Sequence, residues 1–530
     1  MSVLARRAPA WMLCVLCALA STPAIAAEPW DTSRHPPATQ RKFREAERLF
    51  REGDHVASLA LYAALAEEHP ELPPAQIGRA ASASRLAKYA EAAAAYEAAV
   101  RLLPDDPLLE GELADSYRGV KRYDDAEAWY HRALGNAGEA PHRTRWHFGL
   151  GLIDSAAGRY SAAVAHYLDA LAINPVLPIA RHNMGVAFLK MNRLAEADAA
   201  FVAALSVDPE NVRAVFARGQ SAARNGDRVA AAELYGRATE LQPDEPTFHH
   251  AHAQMLRRMG DADGADAALG RYRSTKAAQY RAESREFMAQ GQWVDALAHL
   301  NKAYETDPTD IDSLTDRAYC LLRSGESELA RREYERVLAA RPGAARATFH
   351  LAVALYHLGR HDEAEVKLLE VISSTPDTPE SYRQLAWVRR AQGDLPGAED
   401  AFTMGLARNS KWAPGYWWRG SVRRQMGAES GAESDFRRAI QLTPDAPFPR
   451  ESLARLLLET GGDLAEARKH AASAVRKVAS PQHRATLALI YDALGMPDDA
   501  STEIERAYRE APSNERVAAA REQISAGGRP

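Results

Sequence analysis

Residues Thr144–Leu177, TRWHFGLGLIDSAAGRYSAAVAHYLDALAINPVL, carry the pattern that decides the fold. Counted from the first residue, small side chains stand at positions 8 and 20 (Gly151 and Ala163), an aromatic ring at position 24 (Tyr167) and proline at position 32 (Pro175). The small residues let two helices approach closely, and the ring fills the space that remains between them. Proline ends the second helix, because it cannot continue the backbone hydrogen-bond ladder. The stretch therefore predicts a pair of packed helices.

The same landmarks recur along most of the chain with a period of about 34 residues. The two segments that follow repeat them with Gly185, Ala197, Phe201 and Pro209, and then with Gly219, Ala231, Tyr235 and Pro243. Glycine near position 15, such as Gly158, ends the first helix of a pair, since glycine tolerates a left-handed backbone. One pair buries too little apolar surface to be stable alone, so neighbouring pairs must stack.

This pattern resembles the tetratricopeptide repeat family, which has the same repeat length. The resemblance implies an all-α fold, a right-handed superhelical solenoid of antiparallel helix pairs, with about fourteen repeats over residues 39–512. Repeats 1–6 are expected at 39–245 and repeats 8–14 at 277–512. Repeat 7, at 246–276, is three residues short and lacks its proline, so it is either a bend between two superhelical segments or an eroded repeat. A capping helix and tail follow at 513–530, with Ser513 or Asn514 as the N-cap.

The segment 1–26 has the features of a secretory signal peptide. Arg6 and Arg7 precede the apolar run Trp11–Ala20, and the small-x-small motif Ala24–Ala26 predicts cleavage after Ala26 or Ala27. The alternative, an uncleaved membrane anchor, is disfavoured because the apolar run is short for a membrane span. Residues 27–38 are polar and rich in proline, and we expect a flexible lead-in there. The repeats are therefore expected in the periplasm or otherwise outside the inner membrane, with no stable span after cleavage.

Composition favours a water-soluble helical protein, with 46% hydrophobic and 26% charged residues. Cleavage after Ala26 would leave 64 basic and 71 acidic side chains, a net charge of −7, and a single cysteine, Cys320. No intramolecular disulfide is then possible, and Cys320 is expected to be a small, partly buried apolar residue. A reactive thiol is the less favoured interpretation, since no histidine or second cysteine is close in sequence.

No catalytic motif stands out, and no enzyme activity or cofactor is expected. After the predicted signal peptide the chain has no HExxH, no glycine-rich phosphate loop, no GxSxG and no CxxC. The strongest metal candidate is the group His249, His250 and His252, of which the first and last could share a helix face. They occupy packing positions of the repeat, however, so we interpret them as core-lining histidines and predict no metal site.

The resemblance assigns repeat positions 2, 5, 9, 12 and 13 to the concave groove, where ligands bind in this family. Over all fourteen repeats these positions hold 17 basic and 7 acidic residues, although the chain as a whole is acidic. A curved basic wall attracts anions. The chance abundance of arginine is the alternative explanation. The predicted ligand-binding residues are Arg213, Arg224, Arg257, Arg258, Arg281, Arg285, Arg323, Arg383, Trp387, Arg390, Trp417 and Arg424.

Aromatic residues share the predicted groove face: Phe148, Phe216, Phe349, Tyr356, Trp387 and Trp417. Flat rings beside arginine suit peptide side chains or sugar rings, and packing between neighbouring first helices is the alternative. Some members of the family hold a peptide backbone with asparagine at position 6, but here only Asn183 stands there. An asparagine-ladder mode of peptide binding is therefore not expected.

These features predict a binding protein, namely an exported scaffold or adaptor of cell-envelope assembly or secretion that holds a protein or peptide partner with acidic segments. The alternative is an accessory subunit of an exopolysaccharide synthesis or export machine, in contact with an anionic polysaccharide or its export pore. A hydrolase or transferase is a third hypothesis, without a nucleophile or metal set to support it. No nucleic-acid partner is expected.

Overall fold

The computed structural model describes residues 36–138 and 142–526, all of whose regular elements are α-helices. The prediction of an all-α fold built from helix pairs is confirmed. The predicted signal peptide lies outside the described residues. Among the described residues, no helix combines the length and the apolar character that crossing a bilayer requires.

The chain divides into two compact units, Met1–Thr275 and Lys276–Pro530. The helices of the first unit are α1 (Pro37–Glu52), α2 (His55–Glu68), α3 (Pro73–Arg85), α4 (Tyr89–Leu102), α5 (Pro107–Gly119), α6 (Tyr123–Asn136), α7 (Arg143–Ala156), α8 (Tyr160–Ile173), α9 (Pro178–Lys190), α10 (Leu194–Leu205), α11 (Val212–Arg224), α12 (Arg228–Leu241) and α13 (Pro246–Met259). Helix α14 (Ala262–Ala289) contains the point of division.

The helices of the second unit are α15 (Trp293–Thr306), α16 (Ile311–Arg323), α17 (Ser327–Ala340), α18 (Ala345–His357), α19 (His361–Ser374), α20 (Pro379–Ala391), α21 (Leu395–Arg408), α22 (Ala413–Gln425), α23 (Glu429–Leu442), α24 (Pro447–Glu459), α25 (Leu464–Lys477), α26 (Pro481–Ala493), α27 (Pro497–Glu510) and α28 (Glu515–Ser525). Each helix from α15 to α28 packs against the next. The first helices of successive pairs also touch one another, as α16 touches α18 and α18 touches α20. These first helices therefore form one wall of the unit.

The contact between positions 8 and 24 explains how each pair closes. A side-chain carbon built on Gly151 would lie 2.5 Å from the ring of Tyr167, and one built on Gly185 would lie 2.6 Å from Phe201. Both rings are fully buried. The glycines therefore let the helices approach until ring and backbone touch, which confirms the predicted pairing of a small residue with an aromatic ring.

The first helix of a pair ends at a left-handed residue, as the sequence predicts. Gly158 has a φ of 76°. Where the repeat lacks this glycine, Ala87, Lys121 and Asn192 adopt the same left-handed backbone, with φ values of 56°, 64° and 59°. The turn is therefore imposed by the packing of the two helices even where the residue opposes it.

Helix α14 differs from the helices expected around repeat 7. The sequence places a repeat boundary between residues 276 and 277, but the structure has one continuous helix of 28 residues through this point. The helix is continuous because the loop that would connect two separate helices is missing. The segment has lost both the proline and three residues of the loop, so nothing interrupts the backbone hydrogen bonds. The division into repeats at 39–245, 246–276 and 277–512, and their number, remain predictions.

The C-terminal helix has the predicted start. Asn514 accepts a hydrogen bond from the Val517 backbone nitrogen and caps α28. Val517 and Ala520 of this helix are buried against Ile504 and Ala507 of α27. The helix therefore covers the apolar end of the last pair.

Candidate functional site

Helices α16, α18, α20, α22 and α24 form a wall that lies entirely in the second unit. Six of the predicted groove residues lie on these helices, and two more, Arg281 and Arg285, lie on α14 beside them. These side chains fall into two classes. Side chains of the first class form ion pairs with carboxylates or pack against side chains of neighbouring helices. The other class has no acidic partner among the described residues.

Arg281 belongs to the first class, which corrects its predicted role. Its Nη1 atom donates to both carboxylate oxygens of Asp310 at 2.8 Å, and the two side chains are only 17% and 16% exposed. Asp310 also caps α16 by accepting from the Asp312 backbone nitrogen. Removing Arg281 would leave a half-buried carboxylate without its partner, so Arg281 is a structural residue.

Asp316 lies close to a further set of arginines. It stands at position 6 of its repeat, and Arg285 Nε lies 3.8 Å from its carboxylate. Burial raises the pKa of Asp316, against the lowering influence of Arg285, Arg281 and Arg346. Position 6 is not one of the five groove positions whose charges are counted from the sequence. Acids at this position, such as Asp316, therefore do not enter that count, although they offset part of the basic charge on the wall.

Arg424 and Trp417 are likewise occupied. Arg424 Nη1 lies 2.9 Å from Glu459 of the next pair. Trp417 Nε1 donates to Ser452 Oγ at 2.9 Å, and its ring lies 5.6 Å from that of Phe448. Both side chains therefore help to join α22 to α24, which is the packing alternative for Trp417.

Three of the predicted groove arginines on the wall form no ion pair with a carboxylate in the part of the chain that the structure describes: Arg323, Arg383 and Arg390. The Arg323 guanidinium lies over Trp293, 4.9 Å from the ring centroid. The Arg383 guanidinium lies 5.0 Å from the centroid of Trp387 and 5.3 Å from that of Trp418. Cation–π contacts hold the Arg323 and Arg383 side chains in place without cancelling their charge.

Arg383, Trp387, Arg390 and Trp418 form what we call the Arg–Trp cluster. The Nε atom of Arg383 is buried and has no hydrogen-bond acceptor. A cleft beside Trp387 and Trp418, bordered by Arg390, has a volume of about 30 Å³, which is the space of one water molecule. The cluster therefore offers a charged aromatic surface rather than a deep cavity.

The predicted groove residues of the first unit lie on α11 and α13. Arg224 Nη1 donates to the Leu189 carbonyl at 3.0 Å, and Arg257 lies 3.4 Å from Asp266 in a largely exposed ion pair. Arg258 is exposed, and partial burial lowers the pKa of Arg213. Arg224, Arg257 and Arg258 do not stack on a tryptophan in the described chain, which distinguishes them from the Arg–Trp cluster.

Two further expectations about aromatic and histidine residues are decided by burial. Phe148 is only 3% exposed and packs with Tyr167 and Leu177 in one apolar cluster, so its assignment to the groove face is wrong. Its ring is needed to fill the interior of the pair and is withdrawn from the solvent. His249 is buried and donates through Nε2 to the Pro243 carbonyl at 2.7 Å, as expected of a core histidine.

Cys320 is fully buried, which confirms the interpretation as an apolar core residue. Burial raises the pKa of its thiol to about 12, with a smaller contribution from Asp316. Thiolate chemistry at neutral pH is therefore disfavoured. Sequence reasoning missed a different group, His147, His166 and Asp169, which the packing of α7 on α8 brings together.

Family models described as tetratricopeptide repeat match residues 107–175, 182–246, 287–337 and 315–379. A tetratricopeptide repeat and J domain-containing co-chaperone of Fusarium oxysporum is 25% identical over 242 residues, which are 42% of this chain and 46% of that protein. Protein O-mannosyl-transferase Tmtc1 of Drosophila melanogaster is 32% identical over 113 residues, 20% of this chain and 13% of its own length. Tetratricopeptide repeat protein 36 of Bos taurus is 34% identical over 91 residues, 16% of this chain and 47% of its own length. The chain spans less than half the length of each of these relatives.

Solved structures with a related arrangement of helices include YrrB, described as a TPR protein with an unusual peptide-binding site. It is 23% identical, with a TM-score of 0.31, over 36% of this chain and 96% of that one. The APC/C hetero-tetramer Cut9–Hcn1 gives 15% identity and a TM-score of 0.34 over 86% of this chain and 96% of that one. The TPR domain of P58(IPK) gives 16% identity and a TM-score of 0.29 over 73% and 98%.

Proposed function

We propose that this chain, which contains tetratricopeptide repeats in both of its compact units, is a scaffold that binds an acidic segment of a partner protein on the Arg–Trp cluster and Arg323 of the second unit. The observation that carries the proposal is the set of three predicted groove arginines on this wall that form no ion pair in the described chain. Arg323, Arg383 and Arg390 stand on two first helices of one wall, where other predicted groove arginines already have acidic partners.

The chemistry of these side chains favours a carboxylate ligand. A guanidinium donates two parallel hydrogen bonds to a carboxylate and remains charged at every physiological pH. Stacking on Trp387 and Trp418 fixes the Arg383 side chain before a ligand arrives, which reduces the entropy lost on binding. The buried Nε of Arg383 would gain an acceptor if a carboxylate entered the cluster.

The acidic-peptide proposal has more support than the glycan alternative. Trp417, the ring expected to stack on a sugar, is tied to Ser452 and Phe448. Trp387 is half-buried, lies edge to face with Trp418 and has the Arg383 guanidinium 5.0 Å from its ring centroid, which leaves less ring area for a sugar. An acidic peptide side chain can bind through hydrogen bonds from the guanidinium edges alone and needs no open ring face. An anionic oligosaccharide therefore serves as the competing ligand in the test below.

The test uses a short fluorescein-labelled poly-glutamate peptide and the chain beginning at Ala27. We expect binding that weakens with added salt and a loss of about tenfold or more in affinity for Arg323→Ala/Arg383→Ala/Arg390→Ala. The matched control is Arg332→Ala/Arg408→Ala/Arg438→Ala, which removes three exposed arginines from second helices.

The control should bind like the parent chain. Equal losses in both triple variants would show that only net charge matters, and the proposed site would be wrong. Preferential binding of an alginate oligosaccharide over the peptide, abolished by the same first triple change, would support the glycan function instead.

Export of the chain is a separate part of the proposal. It is supported by Arg6, Arg7, the apolar run Trp11–Ala20 and the cleavage motif Ala24–Ala26. Expression of the full chain in a Gram-negative host should give a periplasmic protein whose sequenced N-terminus is Ala27 or Glu28. Recovery from the cytoplasm with Met1 intact would contradict export, and it would leave the peptide-binding test unaffected.

A further inference from the structure

We propose that His147, His166 and Asp169 form a binding site for a divalent transition-metal ion in the first unit. His147 lies on α7, and His166 and Asp169 lie one turn apart on α8, the helix with which α7 pairs. This inference does not depend on the peptide-binding function, since it concerns other helices and another compact unit.

Three potential ligand atoms converge. His147 Nδ1 lies 3.6 Å from Asp169 Oδ2, and His166 Nδ1 lies 3.8 Å from the same oxygen. One donor atom of each residue lies within 4.8 Å of the others. In a tetrahedral zinc site with bonds of about 2.0–2.1 Å, neighbouring ligand atoms are about 3.3–3.5 Å apart. Closing to that spacing requires small rotations of the imidazole rings, whose ligand nitrogens lie within 4.8 Å of each other, and of the Asp169 side chain, which is 57% exposed.

Both histidine nitrogens that face Asp169 are otherwise unsatisfied. The Nδ1 atoms of His147 and His166 are buried from solvent and make no hydrogen bond. A buried polar atom without a partner costs free energy and requires an explanation, of which a bound ion is one. Other histidines with an unpartnered Nδ1, such as His182 and His361, are not joined by a second histidine and a carboxylate in the described chain.

A supporting carboxylate stands behind His166. Asp154 Oδ2 lies 3.7 Å from His166 Nε2, and Asp154 itself is buried and accepts from Arg159 Nε at 2.6 Å. Metal-bound histidine commonly presents its second nitrogen to a carboxylate, which fixes the tautomer and the orientation of the ring. At 3.7 Å the two groups are beyond hydrogen-bond distance, so the negative charge of Asp154 favours a proton on His166 Nε2 electrostatically, which leaves Nδ1 free for a metal.

The donor set indicates which ions would bind. Two imidazole nitrogens and one carboxylate oxygen suit Zn²⁺ or Co²⁺ and not Ca²⁺ or Mg²⁺, which require a shell of oxygen ligands. A fourth position would be open to water on the side of the exposed Asp169. The ring of His131 on α6 lies 6.2 Å from that of His166, but its nitrogens do not join the group of converging ligand atoms.

The test titrates Zn²⁺ alone into the full tag-free chain by isothermal calorimetry, with Co²⁺ absorption as a second measurement of nitrogen coordination. We expect one ion per chain. Asp169→Asn and His147→Gln should each weaken Zn²⁺ binding by about tenfold or more and remove the Co²⁺ bands, because even the loss of an outer partner costs about 10–100-fold.

His299→Gln is the matched control, since His299 is also half-buried and faces a single carboxylate, Glu283, at 3.0 Å. It should bind Zn²⁺ like the parent chain. Asp169 is exposed, so its substitution leaves the helix pair folded, which far-ultraviolet circular dichroism checks. Absence of Zn²⁺ binding in the parent chain, or equal weakening in the His299 control, would overturn the proposal.

Discussion

Gly151 shows how little tolerance the helix pairs have for one additional carbon. A methyl group there would lie 2.5 Å from the Tyr167 ring, which is fully buried and cannot withdraw. We expect Gly151→Ala to destabilise its unit by about 1–3 kcal/mol through overpacking. Chemical denaturation followed by circular dichroism measures the change.

Gly270→Ala is the control for Gly151→Ala. Gly270 lies within α14 and has no atom near the place of a new side-chain carbon. Alanine should therefore stabilise the helix by about 0.5–1 kcal/mol. If both substitutions stabilised the protein, the close approach of α7 and α8 would not constrain position 8.

His350 makes a prediction about acid stability. Burial, and then Arg346, lower the pKa of His350 to about 4, and the ring is enclosed by Tyr319, Tyr334 and Phe349. Between pH 6.5 and 4 the unfolded chain binds more protons at this residue than the folded chain, so stability falls as the pH falls. The loss should be about 2 kcal/mol between pH 7 and pH 5.

The measurement compares urea unfolding at pH 7 and pH 5. His350→Gln should lose less stability on acidification than the parent chain, whatever its stability at pH 7. His357→Gln, an exposed histidine on the same helix, should leave the difference unchanged. An unaltered pH dependence in His350→Gln would show that burial does not hold this imidazole neutral.

Helix α14 is the element in which sequence pattern and structure differ most. Its 28 residues continue through the position where every complete repeat has a loop. Proline at Thr275 would remove a backbone donor and collide with the preceding turn, so Thr275→Pro should cost about 3 kcal/mol or more. Thr275→Ala, which keeps the helix, should be nearly neutral. Equal stability of the two variants would mean that the helix is already interrupted there.

Within each compact unit, contacts join consecutive helices and the first helices of successive pairs, so local stabilities should differ along the chain. The pair α24–α25 is our candidate for early opening, because Gly461 and Gly462 join its helices and Ala471 stands where other repeats place an aromatic ring. Native-state hydrogen exchange should show weaker protection in α25 than in α8. Uniform protection of the two helices would contradict this.

The sequence offers the segment 246–276 as a second candidate for early opening, because this repeat is three residues short and lacks its proline. The second half of this segment belongs to the continuous helix α14, where the loop that would fray first is absent, so early opening is no longer expected there. Exchange in α13 and in the first half of α14 should therefore be compared separately. Protection in α14 as high as in α8 would fit a helix whose hydrogen bonds are uninterrupted.

The amino-acid sequence was sufficient to predict the helix pairs, their turns and the contact between positions 8 and 24. These features depend on residues within one repeat, and the same spacing produces the same geometry each time, as Gly151 with Tyr167 and Gly185 with Phe201. The loss of the proline in repeat 7 was equally visible. Its consequence, one long helix, was not, because a missing stop signal does not say whether a turn forms by other means.

The tertiary structure alone decided which arginines remain uncompensated. Arg281 is paired with Asp310 and Arg424 with Glu459, partners 29 and 35 residues away at the N-cap and on the first helix of the following pair. A count of charges at groove positions cannot show such pairs, because it does not say which charges touch: Asp310 stands outside the groove positions and Glu459 stands at one of them. In the same way His147 meets His166 and Asp169 only through the packing of α7 on α8, where distance in space and not spacing in sequence brings the ligand atoms together.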